Sequence, residues 1–169
     1  MGKVISLINQ KGGVGKTTTS INLSASLALL DKKVLMVDLD PQCNATTGIG
    51  INKGDIDKSI YNVLNGSCNI EDAIIKTRYK NLYVLPANLN LAGIDIEISE
   101  RSRTDNTFLK QEQLKNSIDR IKDSFDYIII DCPRALGIIT TNALTASDSV
   151  IIPVQCEYFA LEGITQLLK

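Results

Sequence analysis

Lys11-Gly12-Gly13-Val14-Gly15-Lys16-Thr17-Thr18 joins an apolar run, residues 4–8, to a run of helix-forming residues that begins at Lys16. The end of this stretch, Gly15-Lys16-Thr17, fits the phosphate-loop pattern G-x-x-x-x-G-K-S/T, although Gln10 stands where that pattern has its first glycine. The apolar run predicts a strand over residues 3–8, and the residues after the loop predict a helix over 16–31. The glycines therefore lie at a strand-to-helix turn.

At such a turn, the backbone N–H groups of the loop and the positive end of the helix point to the same place and favour an anion there. Glycines allow the backbone to wrap closely around that anion. Lys16 adds a full positive charge for terminal phosphates, and the Thr17 hydroxyl can bind Mg²⁺. The sequence therefore predicts a phosphate-binding loop.

The composition limits the chemistry that the chain can perform. Its 169 residues are about one domain's worth, and its net charge of −1, from 18 Lys and Arg against 19 Asp and Glu, gives no overall basic field for nucleic acid. The absence of histidine excludes a histidine base, a Ser-His-Asp triad and histidine-ligated metals. Acid–base work must therefore fall to carboxylates, lysines or water.

The cysteines and the hydropathy pattern favour a cytoplasmic protein with no membrane partner. The four cysteines, at positions 43, 68, 132 and 156, lack the C-x-x-C spacing of zinc and dithiol sites. No apolar run approaches the roughly 20 residues of a membrane span, and the N-terminus lacks the plan of a secretory signal.

Further elements alternate along the chain. Apolar runs predict strands over residues 34–37, 81–85, 126–131 and 149–154. Helical patterns cover residues 59–64, 70–75, 108–124, 138–146 and 158–169. Residues 43–57 and 99–107 are polar, and we expect a loop at the first and a loop or frayed helix at the second; residues 88–98 suit a strand or a helix, and we favour the helix.

This alternation predicts an α/β fold of the P-loop NTPase type, with a mostly parallel central sheet and helices on both faces. The strand at 126–131 is apolar throughout, which predicts burial on both faces in the middle of the sheet. We expect residues 1–169 to form one domain. Because residues 161–169 stop within a helical pattern, we also expect an N-terminal fragment whose C-terminal part is missing.

Acidic residues follow two of the predicted strands. Asp38 and Asp40 end the second strand before Pro41, and Asp131 ends the strand at 126–131. Ligands of open α/β sheets bind at this edge, and a magnesium–triphosphate complex needs carboxylates near the metal and the attacking water. We predict Thr17, Asp38 and Asp131 as metal residues, Asp131 acting directly or through a water. Asp38 and Asp40 lie on the same side of the chain, and we favour Asp40 for catalysis.

Several segments together resemble the ParA/MinD family of deviant phosphate-loop ATPases, and most closely its short chromosomal ParA (Soj) type. Residues 11–18 resemble the family's loop with its additional lysine, and Asp38-Leu39-Asp40-Pro41-Gln42, followed by Asn44-Ala45-Thr46, is similar to switch I. Ile130-Asp131-Cys132-Pro133 is similar to switch II, and residues 152–163 are similar to a further ParA stretch. The resemblance spans the chain.

The resemblance implies an ATPase with ATP and Mg²⁺ as ligands. Lys11 matches the catalytic signature lysine, which reaches the partner's nucleotide in an ATP-dependent homodimer, and Asp40 matches a residue required for hydrolysis. The nucleotide-binding residues are then Gly12, Gly13, Val14, Gly15, Lys16, Thr17 and Thr18, with Thr18 at the α-phosphate.

The resemblance also implies partners. An ATP-bound dimer would bind DNA without sequence preference through the missing C-terminal part and so lie on the nucleoid, until a ParB-like protein stimulates hydrolysis and releases it. Such a cycle partitions chromosomes or plasmids.

Arg134 and Ala135 depart from the family pattern, which has proline and serine at these two positions. The loss of the proline loosens the turn, and Arg134 adds a charge near the phosphates or the dimer face. Three alternatives remain: a MinD-like membrane-associated ATPase, a small-molecule ligase resembling dethiobiotin synthetase, and a nucleotide-binding scaffold without turnover. The segment 41–46 favours ParA over MinD, and Lys11 with residues 40–42 argues against the ligase.

Overall fold

The computed structural model describes residues 2–156, so the helix predicted at 158–169 lies outside the described residues. Within residues 2–156 the strands are β1 Lys3–Leu7, β2 Val34–Asp38, β3 Ile75–Lys76, β4 Leu82–Leu85, β5 Tyr127–Asp131 and β6 Ser149–Ile151. They form a six-stranded sheet in the order β3-β4-β2-β5-β1-β6. All neighbouring strands are parallel except β3, which is antiparallel to β4.

Helices cover both faces of this sheet. They are α1 Lys16–Leu29, α2 Asn44–Gly48, α3 Ile60–Leu64, α4 Ile70–Ala73, α5 Ile94–Thr104, α6 Gln113–Ile121 and α7 Ile138–Ala146. Side chains of α1 and α2 join one apolar cluster, and side chains of α3 to α7 join the other. The predicted class, a mostly parallel sheet between two helical layers, is confirmed.

The central strands alternate between the two clusters. In β5, Ile128 and Ile130 face the cluster with α3 to α7, and Ile129 faces the other. All three are completely buried, because β5 lies between β1 and β2. The prediction that this strand occupies the middle of the sheet is confirmed, since only a strand covered on both faces has apolar residues at consecutive positions.

The face of α1 that is buried most deeply is small and polar, not leucine-rich. Ser20, Ser24 and Ala28, four residues apart, are buried with Lys16 on this helix. Leu29 and Leu30, at the end of the helix predicted over 16–31, are 85% and 71% exposed. Small side chains at this spacing permit a close approach to the sheet, whereas the two leucines are left largely in contact with solvent.

Residues 43–57 are not the continuous loop that their composition predicted. They contain α2 and a 3-10 turn at Lys53–Asp55. Ala45 and Ile49 are buried beneath α1, and the Thr47 N–H donates to the Cys43 carbonyl at 3.0 Å. Tertiary burial therefore supports a helix in a segment whose residues favour turns.

The helix predicted at 108–124 begins later, at Gln113. Its amphipathic pattern placed Leu109, Leu114, Ile118 and Ile121 on the inward face. Leu109 lies before the observed helix and is 47% exposed, whereas Leu114, Ile118 and Ile121 are buried. The Leu114 N–H donates to the Asn142 side chain at 3.0 Å, which anchors the first turn of α6 against α7.

Two boundaries also differ from the prediction. The helix predicted at 70–75 ends at Ala73 because Ile75–Lys76 forms the short strand β3. The strand predicted at 149–154 ends at Ile151. Residues 88–98 are helical, as favoured, in a 3-10 turn followed by α5.

No helix within residues 2–156 is long and apolar enough to cross a membrane.

Asp148 ties the beginning of β1 to the segment before β6. Its carboxylate accepts hydrogen bonds from the Val4 N–H at 2.8 Å and from Lys122 Nζ at 2.9 Å. The Val4 hydrogen bond, and then Lys122, lower the pKa of this carboxyl. Such a group stabilises the fold above its unfolded pKa of about 4, and the contribution is lost as the pH falls through the folded pKa.

We therefore expect Asp148→Ala to lower the free energy of unfolding by about 1 kcal/mol at pH 7, since the side chain is partly exposed to water. The difference from wild type should shrink as the pH falls below about 4. Urea denaturation between pH 3 and pH 7 measures both effects. Asp57→Ala, at an exposed carboxylate, is the control; a loss for Asp148→Ala that is equal at pH 3 and pH 7 would contradict the role of its charge.

Candidate functional site

The loop between β1 and α1 has the backbone of an anion cradle. Gly13 and Gly15 have φ of 75° and 87°, in the left-handed region that side chains disfavour. A Cβ at either position would meet no atom within 4 Å, so the backbone conformation and not space requires glycine. Gly15 immediately precedes α1, whose first N–H groups lack partners within the helix.

A cavity of about 220 Å³ opens above this loop. It is lined by Gly13, Val14, Gly15, Lys16, Thr17, Thr18, Asp40, Asn44 and Arg134. The structure thus places most of the predicted phosphate-binding residues and Asp40 around one space. Asn44, which the sequence did not assign to the site, also lines the cavity, as does Arg134, whose charge the sequence placed near the phosphates or the dimer face.

Lys16 is a cation that the protein largely removes from water. It is 8% exposed. Burial lowers the pKa of Lys16, the nearby charge of Arg134 lowers it further, and Asp131 and Asp40 oppose the shift. A buried ammonium group beside a cavity is stabilised by an anion that enters the cavity.

Asp131 carries a polar atom without a protein partner. The residue is completely buried, and its Oδ1 accepts a hydrogen bond from the Ser20 hydroxyl at 2.9 Å. Its Oδ2 is buried with no hydrogen bond among the described residues. Burial raises the pKa of this carboxyl to about 6, against the opposing influence of the nearby Thr17 and Ser20 hydroxyls.

An orphaned carboxylate oxygen near a hydroxyl on the cavity wall suits a magnesium ion. Thr17 lines the cavity, and Asp131 lies behind it at the end of β5. Within residues 2–156 no group of three or more Cys, Asp or Glu side chains is arranged to hold a metal ion. A metal here would take its other ligands from phosphate oxygens and water, as Mg²⁺ often does.

Asp38 has a different environment from Asp131. Its Oδ2 accepts from the Thr46 N–H at 2.8 Å and the Thr46 hydroxyl at 2.7 Å, and its Oδ1 accepts from the Asp40 N–H at 3.0 Å. Burial raises the pKa of Asp38, and the Thr46 hydrogen bonds oppose that shift. Asp38 does not line the cavity. The geometry favours a positioning role in the turn after β2, and the metal role predicted for Asp38 from the sequence stays a prediction.

Asp40 stands on the cavity wall in a fixed turn. Its Oδ1 accepts from the Gln42 N–H at 2.9 Å, and its carbonyl accepts from the Cys43 N–H at 2.9 Å. These bonds hold the carboxylate half-buried opposite the loop residues.

Lys11 and Gly12 do not line the cavity. Lys11 is exposed, and its backbone N–H donates to Asn9 Oδ1 at 2.9 Å. Gly12 lies under the guanidinium group of Arg134. The roles predicted for these two residues stay predictions.

Several supporting residues could not be identified from the phosphate-loop pattern. Ser20 lies one helical turn after Lys16 and holds Asp131, and the small-residue spacing in α1 is the signal that could have indicated it. Beyond β6, Gln155 Nε2 donates to the Gly13 carbonyl at 3.1 Å. The Pro153 carbonyl accepts from Asn9 Nδ2 at 2.8 Å. The segment after β6 therefore holds the loop, and the end of β5 holds the helix that follows it.

Known proteins are similar to this chain in sequence and in fold. A family model described as an AAA domain matches residues 2–169. The sporulation initiation inhibitor protein Soj of Bacillus subtilis is 54% identical over 169 residues, which is 100% of this chain. The chromosome partitioning protein ParA of Caulobacter vibrioides is 43% identical over 169 residues, covering 99% of the chain. The chain spans 64% of the length of that Soj protein and 61% of that ParA.

A solved structure has the same architecture. The cobyrinic acid a,c-diamide synthase from Mycobacterium smegmatis, with bound ADP and magnesium, has a TM-score of 0.90 and 38% identity. The match covers 99% of this chain and 66% of that one.

The buried Asp131 carboxylate, whose Oδ2 has no hydrogen bond among the described residues, should destabilise the metal-free protein. Because its folded pKa exceeds the unfolded value, stability should fall as the pH rises from about 4 to about 6 and then level off. We expect Asp131→Asn to remove this decline and to be more stable than wild type at pH 7, by up to about 3 kcal/mol. Urea denaturation in EDTA across pH 4 to 8 measures the difference.

Asp131→Asn should at the same time weaken magnesium-dependent nucleotide binding. The two measurements therefore separate the effect of the charge on stability from its effect on binding. If the variant were less stable than wild type at pH 7 in EDTA, the inference that the buried Asp131 charge destabilises the metal-free protein would be wrong. Ser20→Ala serves as a second variant, because it removes the hydroxyl that satisfies Oδ1 and should destabilise the metal-free protein.

Proposed function

The chain belongs to the ParA/MinD family of AAA-domain ATPases, and from this premise we propose that it hydrolyses magnesium-bound ATP in a chromosome or plasmid partitioning cycle. The observation that carries the proposal is the convergence on one cavity of the glycine loop, Lys16, Thr17 and Asp40, with the unpartnered oxygen of Asp131 behind it. A triphosphate and a magnesium ion satisfy each of these groups.

The loop and Lys16 would bind the phosphates. The N–H groups at the start of α1 provide donors, and Lys16 provides a charge that is confined to the cavity by burial. Thr18 lies on the same wall and, by family resemblance, is the contact for the α-phosphate. The helix and the lysine together favour an anion over water at this position.

Thr17 and Asp131 would hold the magnesium ion, Asp131 directly or through a water. When bound, the ion neutralises phosphate charge and orients the terminal phosphate. Ser20 keeps the Asp131 carboxylate fixed through Oδ1 and leaves Oδ2 available. The presence of a magnesium ion beside the nucleotide is supported by the similar Mycobacterium smegmatis structure, which has bound ADP and magnesium.

Asp40 would orient the attacking water. Its carboxylate is on the cavity wall, and the Gln42 N–H holds one of its oxygens. Asp38 supports this placement, because its carboxylate accepts the Asp40 N–H and anchors Thr46 at the same time. The Thr46 hydroxyl also accepts from the Ala87 N–H at 3.2 Å, so the turn is connected to the segment after β4.

The cycle that we propose has three further parts. ATP joins two copies of the chain, Lys11 of each copy serves the nucleotide of the other, and the dimer binds DNA without sequence preference in the cytoplasm. A ParB-like partner then stimulates hydrolysis and releases the dimer from the nucleoid. The names of the relatives, chromosome partitioning proteins of Caulobacter vibrioides and Myxococcus xanthus, support this assignment.

Two substitutions should separate binding from hydrolysis. We expect Lys16→Ala to weaken ATP binding at least tenfold, because a buried cation that meets the phosphates is removed. Asp40→Ala should bind ATP within a few-fold of wild type yet release phosphate at least 100-fold more slowly, since the cavity keeps its cations but loses the group that orients water. Fluorescence titration with a labelled ATP and a phosphate-release assay provide the two readouts.

Lys32→Ala and Asp57→Ala, at exposed residues outside the cavity, are the matched controls and should change neither readout. Normal hydrolysis by Lys16→Ala would overturn the assignment of the loop. Nucleotide binding without turnover in wild type would support the scaffold alternative.

DNA binding should depend on the nucleotide. In gel shifts with nonspecific duplex DNA, we expect the full chain to bind when ATP is present. The Asp40→Ala variant should stay bound to DNA for longer than wild type. Added salt should lower the affinity for DNA steeply. DNA binding that is the same with and without ATP would contradict the partitioning cycle. ATP-dependent binding to anionic lipid vesicles in place of DNA would support the MinD-like alternative.

A further inference from the structure

Arg134, which replaces the proline of the family pattern, lines the phosphate cavity. It follows Asp131 by three residues, and it lines the cavity together with the loop and Asp40. Among the described residues it makes no hydrogen bond or ion pair, although guanidinium groups are rarely left near other charges without a partner. Its five N–H donors are therefore available.

The guanidinium group lies against the backbone of the loop. A Cβ placed on Gly12 would be 2.6 Å from Arg134 Cζ, 2.7 Å from its Nη1 and 2.9 Å from its Nε. The glycine thus leaves room for the arginine head group at the side of the loop. This contact directs Arg134 toward the phosphate site of its own chain and not away from the molecule.

The backbone on both sides of Arg134 is held. Before it, the Cys132 N–H donates to the Leu7 carbonyl at 3.2 Å at the end of β1. After it, the Thr140 hydroxyl of α7 donates to the Ala135 carbonyl at 2.6 Å. The arginine therefore extends from a segment tied to β1 and to α7.

The charges in the cavity also favour an anion near Arg134. Lys16 and Arg134 are two cations that line one cavity, and Asp40 is the single carboxylate among the described residues that line it. Burial lowers the pKa of Lys16, and the charge of Arg134 lowers it further, so the two cations repel each other. An anion with several charges between the two cations would relieve that repulsion.

We propose that Arg134 binds the terminal phosphate of the ATP held by its own chain and so selects triphosphate over diphosphate. The inference rests on the proposed function, because it presumes a nucleotide in the cavity. The terminal phosphate belongs between Lys16 and Asp40, and Arg134 lines the same cavity as both. The planar guanidinium group can donate two parallel hydrogen bonds to phosphate oxygens, which a proline at this position could not do.

The test compares the affinities for magnesium–AMPPNP and magnesium–ADP, measured by calorimetric titration of the full chain. Arg134→Ala should weaken AMPPNP binding about tenfold or more and ADP binding less than about twofold, because only AMPPNP has a terminal phosphate. Arg134→Lys should restore part of the loss, since it keeps the charge without the planar fork. Arg103→Ala, which removes an exposed arginine of α5, should change neither affinity.

The outcomes separate the inference from the proposed function. Equal losses for both nucleotides, or no loss for either, would overturn the role of Arg134 while leaving the nucleotide site intact. If wild type bound neither nucleotide, the proposed function would fail and the inference would fail with it. Thermal unfolding of each variant without nucleotide establishes that a change in affinity reflects the cavity and not the fold.

Discussion

The register of three parallel strands determines where the chemistry of this chain is located. Leu7 of β1 pairs with Asp131 of β5, and Asp131 pairs with Asp38 of β2, so three strands end side by side. Each strand then leads into a polar segment: the glycine loop after β1, the Asp40 turn after β2 and the Arg134 segment after β5. A shift of one residue in either pairing would place an acidic side chain on the opposite face of the sheet. The site therefore depends on backbone pairing before any side chain contact.

Two aspartates at this edge illustrate how local hydrogen bonding divides roles between identical groups. Asp38 uses both oxygens within the protein, and its charge serves to fix the turn that carries Asp40. Asp131 uses one oxygen and leaves the other buried without a partner. A carboxylate whose hydrogen bonds are all made within the protein stabilises the fold. A buried carboxylate oxygen without a hydrogen bond destabilises it until a ligand binds there. The same reasoning applies to Lys16, a buried cation beside an open cavity, and to Arg134, which has no acidic partner among residues 2–156.

Features determined by local sequence were predictable, and features determined by distant contacts were not. The loop at 11–18 and the strand at 126–131 have patterns that arise from neighbouring residues, and both lie where they were predicted. The partnership of Asp131 with Ser20 joins residues 111 positions apart, whose proximity only the folded sheet and helix reveal. The partnership of Asp38 with Thr46 spans eight residues, and it depends on the turn that leads from β2 into α2. Leu29 is 85% exposed although it lies within α1, because helical periodicity does not indicate which positions the rest of the fold covers. The two-residue strand β3 is too short to have a pattern of its own.

The position of β1 has a consequence for how the chain acquires its structure during synthesis. This strand precedes the other described strands in the chain, yet its two neighbours in the sheet are Tyr127–Asp131 and Ser149–Ile151. The hydrogen bond from Val4 to Asp148 closes a loop of 144 residues. While the ribosome is still producing the middle of the protein, β1 and its glycine loop have no sheet to join, so the phosphate site is among the last parts to assemble. Such long-range pairing slows folding and prolongs the exposure of an apolar strand, which makes the nascent chain a natural client for chaperones.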